Sequence, residues 1–401
     1  MREELRMFGS TKLLKVVSGV MLAAALFAGC ERKETASAGN SGGAADSGSG
    51  PIPVGVAASI TGSQATWGRS TKIGVEMATE EINAKGGIKG RPIELKVYDN
   101  KGESQEMGLV VTRMIKSDKV VAILGEVASG LTMAGARIAQ PEGIPMVSHA
   151  ATNPDVTAIG DKIFRICFTD DFQGFVTAKF ARENLKTSKA AVLYDQSQAY
   201  SVGLRDTFKE SFTKMGGAIV SEQAYTGGDQ DFSAQLNSIK ASGAEVLFVP
   251  GYYTEVGNIA LQADRLGMKL PMLGGDGWDS PQLAKIAGAA IEGQFYANHV
   301  APEAPEPNLQ KFVAAYKART GEMPDAIGVL AYDAAHVLYA AMARASSLGG
   351  DDIAKELAAT KDYVGASGTI TIDAKRNATK PAVILQIKNG VPVYHATITP
   401  N

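Results

Sequence analysis

The chain has only two cysteines, four histidines and two tryptophans among 401 residues. These scarcities exclude several chemistries at once. Two cysteines cannot make a disulfide framework, and His149, His299, His336 and His395 stand far apart, with no His-x-x-x-His or Cys-x-x-Cys spacing to suggest a metal. No Gly-Lys dipeptide occurs, which excludes a Walker-type phosphate loop. Neither Gly-x-Gly-x-x-Gly nor a Gly-x-Ser-x-Gly nucleophile elbow stands at a strand-to-helix turn. His149 falls in a strand-end loop where a catalytic base could stand, but no motif supplies it with a nucleophile. The sequence therefore predicts neither an enzyme nor a cofactor. Charge of one sign is also missing: 40 basic and 42 acidic residues leave a net charge of -2, no electrostatic footprint for nucleic acid or an anionic membrane surface.

The N-terminus is informative. Lys12 and Lys15 precede an apolar run of 13 residues, Val16 to Ala28, too short to cross ~30 Å of hydrocarbon and ending in Leu26-Phe27-Ala28-Gly29-Cys30. That order predicts a bacterial export signal over residues 1–29. It resembles the lipobox of bacterial lipoproteins, with Phe27 where that motif prefers Leu, and implies lipidation of Cys30; the other reading is an ordinary secretory signal with an incidental cysteine. More than one acyl chain would make the attachment stable. Residues 31–50 contain no large apolar side chain and are dominated by Gly, Ser and Ala. They cannot bury enough surface to offset ordering entropy, so 30–51 is expected to be a flexible tether about 25 Å from end to end. With Cys30 acylated, Cys167 has no partner and is expected as a small buried thiol.

From residue 53 short apolar runs alternate with amphipathic stretches, the pattern of parallel sheets covered by helices. Strands are expected near 53–58, 93–98, 120–124, 145–148, 190–194, 218–221, 245–249 and 271–274. Helices are expected near 68–84, 103–117, 130–141, 172–185, 201–215, 230–241, 253–267, 308–320 and 326–346. In the first helix Ile73, Met77, Ala78 and Ile82 fall on one face of a 3.6-residue period. Strand-like segments follow at 367–372, 381–388 and 392–397, with Asn389-Gly390 as a two-residue hairpin turn. About 350 residues in two βα series of similar length point to an α/β protein of two lobes.

Several stretches together carry a family resemblance. Glu80-Glu81-Ile82-Asn83-Ala84-Lys85-Gly86-Gly87-Ile88-Lys89-Gly90-Arg91-Pro92-Ile93-Glu94-Leu95 resembles the first helix and second strand of the leucine/isoleucine/valine-binding proteins of ABC transporters. His149-Ala150-Ala151-Thr152-Asn153-Pro154, Asp170-Asp171-Phe172-Gln173-Gly174, Asp229-Gln230-Asp231-Phe232-Ser233-Ala234 and Gly274-Gly275-Asp276-Gly277 follow in the family's order. The resemblance implies a type I periplasmic-binding-protein fold: two Rossmann-like lobes with parallel central sheets joined by a three-crossing hinge. The crossings are expected near 168–170, 299–301 and 375–380. The N-terminal lobe would combine 52–168 with 301–376, and the C-terminal lobe 169–299 with 377–401.

Ligands of such folds bind beyond the carboxyl ends of the strands. By the resemblance, Ser129 and the N-H groups beside it would take a carboxylate, and Ala150 and Thr152 would supply a carbonyl for an ammonium and a hydroxyl for the carboxylate. Asp276 would face the ammonium, although family members carry Glu there. Trp67, Val127, Tyr200 and Tyr252, with Trp278 as a further possibility, would form the side-chain wall. Without the family, Ser129 reads as an N-cap, Thr152 and Asp276 as turn residues, and the aromatics as core. The expected function is capture of an amino acid, Leu, Ile or Val, by a monomer anchored on the extracytoplasmic side, and its delivery to ABC permease subunits. The alternatives are another aliphatic amino acid, an amide or an aromatic acid as ligand, or a tethered sensor.

Overall fold

A computed structural model describes residues 48–399. The export signal, Cys30, the tether up to residue 47 and residues 400–401 lie outside the described residues. Strands β1 (Ile52–Ala58), β2 (Ile93–Asp99), β3 (Ala122–Leu124), β4 (Met146–Ser148) and β5 (Ile163–Arg165) form one parallel sheet, in the order β2-β1-β3-β4-β5. The next five are β6 (Lys189–Asp195), β7 (Ala218–Tyr225), β8 (Val246–Val249), β9 (Met272–Gly274) and β10 (Phe295–Asn298). A small hairpin, β11 (Tyr363–Gly365) with β12 (Gly368–Ile370), belongs to neither main sheet. Strands β13 (Ala382–Lys388) and β14 (Val391–Ile398) complete a second sheet ordered β14-β13-β10-β9-β8-β6-β7, in which β13 runs antiparallel to β10. Central strands covered on both faces must be apolar throughout, and Val246, Leu247, Phe248 and Val249 of β8 are all fully buried.

The chain passes between the sheets three times. It leaves β5 for β6, leaves β10 for the helix Ala326–Arg344 packed on Ala65–Ala84, and returns into β13. The two packed helices approach closely because both present glycine: a Cβ on Gly74 would lie 2.4 Å from the carbonyl oxygen of Gly328. Ala326–Arg344 is long and apolar enough to cross a membrane but is largely buried in the described fold, which explains its all-round apolarity.

Several elements differ from the sequence expectation. In the first helix the deeply buried face runs through Trp67, Thr71, Gly74, Val75 and Ala78, while Ile73 and Ile82 are only half-buried. Contact with two partners, the sheet and the helix Ala326–Arg344, selects small residues that an apolar period does not reveal. Strand β10 was not expected; it is created by its neighbours, parallel to β9 and antiparallel to β13. The segment 367–372 shortens to β12, and the helices Pro281–Ala287 and Gly350–Ala358 are additional. The helix expected near 172–185 starts at Asp170 and ends in a π turn, Phe180–Asn184.

Asp325 caps the helix Ala326–Arg344: its Oδ1 accepts from Gly328 N at 2.9 Å and its Oδ2 from Ser70 Oγ at 2.6 Å. Burial and the nearby Asp279 carboxylate push its carboxyl up to about 7. An acid whose folded value lies above its unfolded value, here near 3.8, favours folding below the unfolded value and loses that contribution as pH rises through the folded one. Between pH 5.5 and 8.5 this corresponds to on the order of 1–2 kcal/mol of lost stability. Melting temperature should therefore fall across that interval, and fall less in Asp325→Asn, which retains a capping oxygen. Equal slopes in the two proteins, followed by calorimetry, would contradict this.

Candidate binding cleft

On the first sheet the cleft is built from the loops after β3 and β4. The Glu126 carboxylate accepts from Val127 N at 2.6 Å, Ala128 N at 2.9 Å and Ser59 Oγ at 2.8 Å. Two backbone donors at the start of the helix Ser129–Ala139 are thus already engaged by an internal anion. Ser129 Oγ accepts from Asn153 N at 3.2 Å and ties the two loops together. Ser148 Oγ donates to the Glu126 carbonyl and accepts from Ala151 N. Beneath them, fully buried Arg165 at the end of β5 donates to the carbonyls of Ala151 and Asn153, each at 2.7 Å. Loop 150–153 is therefore held from two sides. His149, just before it, bonds Thr71 Oγ1 at 2.9 Å, and burial pushes its imidazole down to about 3, so the ring stays neutral.

The second sheet contributes the facing wall. The rings of Tyr200 and Tyr252 stack with centroids 5.2 Å apart and planes within 9°. Tyr200 points inward, its hydroxyl accepting from Gly277 N at 3.1 Å. Asp276 follows β9. Its Oδ1 accepts from Gln173 Nε2 at 2.9 Å, and its Oδ2 lies 3.0 Å from His299 Nε2. Asp170 sits nearby with no bonded partner for either carboxylate oxygen, and burial together with the Asp276 charge pushes its carboxyl well above the usual range. Thr152 is near enough to favour the ionised form of Asp170 but makes no bond of normal length to it.

The two walls touch. Trp67 Nε1 donates to the Asp279 carbonyl at 2.7 Å, and the Trp67 ring lies edge-on to Tyr252, centroids 5.2 Å apart. Asp279 Oδ2 also accepts from Ala326 N at 2.6 Å, Tyr253 OH donates to the Ser63 carbonyl at 2.7 Å, and Asn153 Nδ2 donates to the Ala199 carbonyl at 2.8 Å. The cleft is closed.

Between the walls is a cavity of only about 10 Å³, room for little more than one water, lined by Trp67, Val127, Ala150, Tyr200, Tyr252, Asp276, Gly277 and Ile327. With the walls this close, a molecule the size of an amino acid enters only when they separate. Six of the eight residues expected from the sequence line it. Ser129 and Thr152 do not line it: Ser129 opens the helix after β3, and Thr152 lies in the loop after β4. Thr152 Oγ1 and Tyr252 OH are buried with no hydrogen-bond partner, although buried polar atoms are nearly always paired. Trp278 is not a wall residue: its indole donates to the Val249 carbonyl at 2.9 Å and is fully buried behind the strands. The sequence alone did not place Ile327, Gln173 or His299 here. Gln173 stood within a motif matching the family, His299 had no signal beyond lying at an expected crossing, and Ile327 had none.

Residues 51–391 match the family model described as periplasmic binding protein. The chain belongs to that family. Among its relatives, a Leu/Ile/Val-binding protein homolog of Brucella melitensis is 35% identical over 337 residues, spanning 82% of this chain and 89% of the relative. A leucine-binding protein of Thermotoga maritima superposes with a TM-score of 0.84 at 39% identity, covering 87% of this chain and 99% of that one. A branched-chain amino acid transporter substrate-binding protein of Streptococcus pneumoniae, solved with isoleucine, gives a TM-score of 0.82 at 32% identity, covering 87% and 100%. The family fold accounts for the two α/β sheets, and in such folds ligands bind in the crevice beyond the carboxyl ends of the parallel strands.

Proposed function

We propose that this periplasmic binding protein captures a branched-chain amino acid in the cleft and presents it, in the closed state, to the permease of an ABC transporter. The observation that carries the reading is the combination within one small space of a carboxylate, Asp276, with aliphatic and aromatic walls from Val127, Ile327, Trp67 and Tyr252. A zwitterion with a short apolar side chain satisfies both. In this reading Asp276 meets the ammonium with the Ala150 carbonyl, Ser129 and Thr152 meet the carboxylate, and Tyr200 and Tyr252 cover the ligand. The ligand names of the relatives point the same way.

The hinge would lie near residues 168–170, 299–301 and 375–380, separating 52–168 plus 301–376 from 169–299 plus 377–401. Ligand favours closure only through contacts it adds with the second lobe. Cys30 would be acylated after removal of 1–29, with 30–51 as the tether and the protein a monomer outside the cytoplasmic membrane. Calorimetry of residues 52–401 against the common amino acids tests the ligand class: micromolar binding of Leu, Ile or Val is expected. A preference for an amide or aromatic acid, or no binding at all, refutes it. The full-length Cys30→Ser variant should leave the membrane fraction; retention there would refute the anchor.

A further inference from the structure

The Asp276 carboxylate is held by two side chains from other elements, Gln173 on Oδ1 and His299 on Oδ2. His299 directly follows β10, and its ring lies on that of Phe168, centroids 3.8 Å apart and planes within 28°. The cleft acid is thus connected to residues that leave both β5 and β10 for the opposite sheet. A carboxylate only accepts hydrogen bonds, so in the neutral ring the proton shared with Asp276 belongs to Nε2. Nδ1 is then a bare lone pair, and it is buried with no partner. Ionising the ring requires a proton on Nδ1, where no acceptor waits.

We propose that His299 is the positioning residue of the amino-acid site: its neutral Nε2-H fixes Asp276 while leaving the carboxylate's charge to the ligand ammonium, and its protonation in acid weakens binding. This rests on Asp276 being the ammonium's partner. Two cations would otherwise compete for one carboxylate. The charged groups facing His299 are Asp276 and Asp279, which favour the imidazolium, and Lys380, which opposes it; His149, neutral, feels its charge as well. Burial outweighs them and holds the ring below its usual 6.5, so it is neutral at pH 7.5. Asp170, whose carboxyl burial and the Asp276 charge push up, stands beside the same carboxylate, so the test must separate it from His299.

The test is the affinity for L-leucine by calorimetry from pH 7.5 to 4.5 in wild type, His299→Gln, His299→Leu and Asp276→Asn, each first checked for a cooperative melt without ligand. His299→Gln keeps an N-H donor but cannot ionise, and it retains Asp170. It should bind within about fivefold of wild type at pH 7.5, and the wild-type loss of affinity on acidification should exceed its loss by at least about fivefold, the ceiling being tenfold per pH unit for one proton. His299→Leu, lacking the donor, should bind at least about tenfold more weakly at pH 7.5; if it does not fold, the comparison with Gln decides. A constant ratio between wild type and His299→Gln at all pH values overturns the proposal. If at the same time Asp276→Asn has lost binding, only the role of His299 falls; if Asp276→Asn binds as wild type, the reading of Asp276 falls with it.

Discussion

Asp276→Ala should reduce affinity for the amino acid at least about 30-fold, because truncating one member of a buried, hydrogen-bonded charge pair costs about 2–5 kcal/mol and 1.4 kcal/mol is a factor of ten. The ligand ammonium would lose its anionic partner in a closed space where water cannot replace it. The effect should be specific to the charge: a ligand analogue without the amino group, such as the corresponding 2-oxo acid, should lose far less on the same substitution. Gln173 and His299 would be left without an acceptor, so a loss of ligand-free stability of about 1–3 kcal/mol, read as a lower melting temperature, is expected as well. Titration calorimetry of the variant decides the matter. Affinity within twofold of wild type would mean that Asp276 is only a turn residue buried beside the cleft.

Arg165→Met should have the largest effect on the fold itself. The guanidinium is fully buried and holds the carbonyls of Ala151 and Asn153, and methionine offers neither of them a donor. Each orphaned carbonyl costs about 1–3 kcal/mol, so a total of roughly 3–5 kcal/mol is expected, equivalent to a fall of about 5–15 °C in melting temperature. Ligand affinity should fall with it, since Ala150 and Thr152 lie in the loop that Arg165 holds. A melting temperature within 2 °C of wild type, measured by calorimetry without ligand, would show that water or a shifted loop replaces these bonds.

Legibility in the sequence followed the range of the interactions. Buried parallel strands such as β8 announce themselves because both faces need apolar residues, and the turn at Asn389-Gly390 does so because both residues must take positive φ, 52° and 73° in the structure. The rotated face of the first helix did not, since Gly74 is explained only by Gly328, more than 250 residues away. Strand β10 escaped for the same reason. Its four residues become a strand only between β9 and β13. In the cleft, Ala150 and Asp276 stood within the family's motifs and Trp67, Val127, Tyr200 and Tyr252 were assigned by the resemblance, whereas Ile327 lies in the first turn of a helix and His299 follows a strand whose existence was not foreseen.

The sequence by itself determined the α/β class, the succession of most strands and helices, and the family, because each rests on local periodicity, turn chemistry or short motifs read in order. Only the tertiary structure decided which residues share the cleft and in what state. It removed Trp278 to the core, brought Ile327 into the wall, and gave the Asp276 carboxylate two partners, Gln173 and His299. The physical reason is that burial, hydrogen-bond partnership and proton position are set by groups distant in the chain. Trp67 and Asp279 meet across 212 residues, and no periodicity in the sequence records that contact.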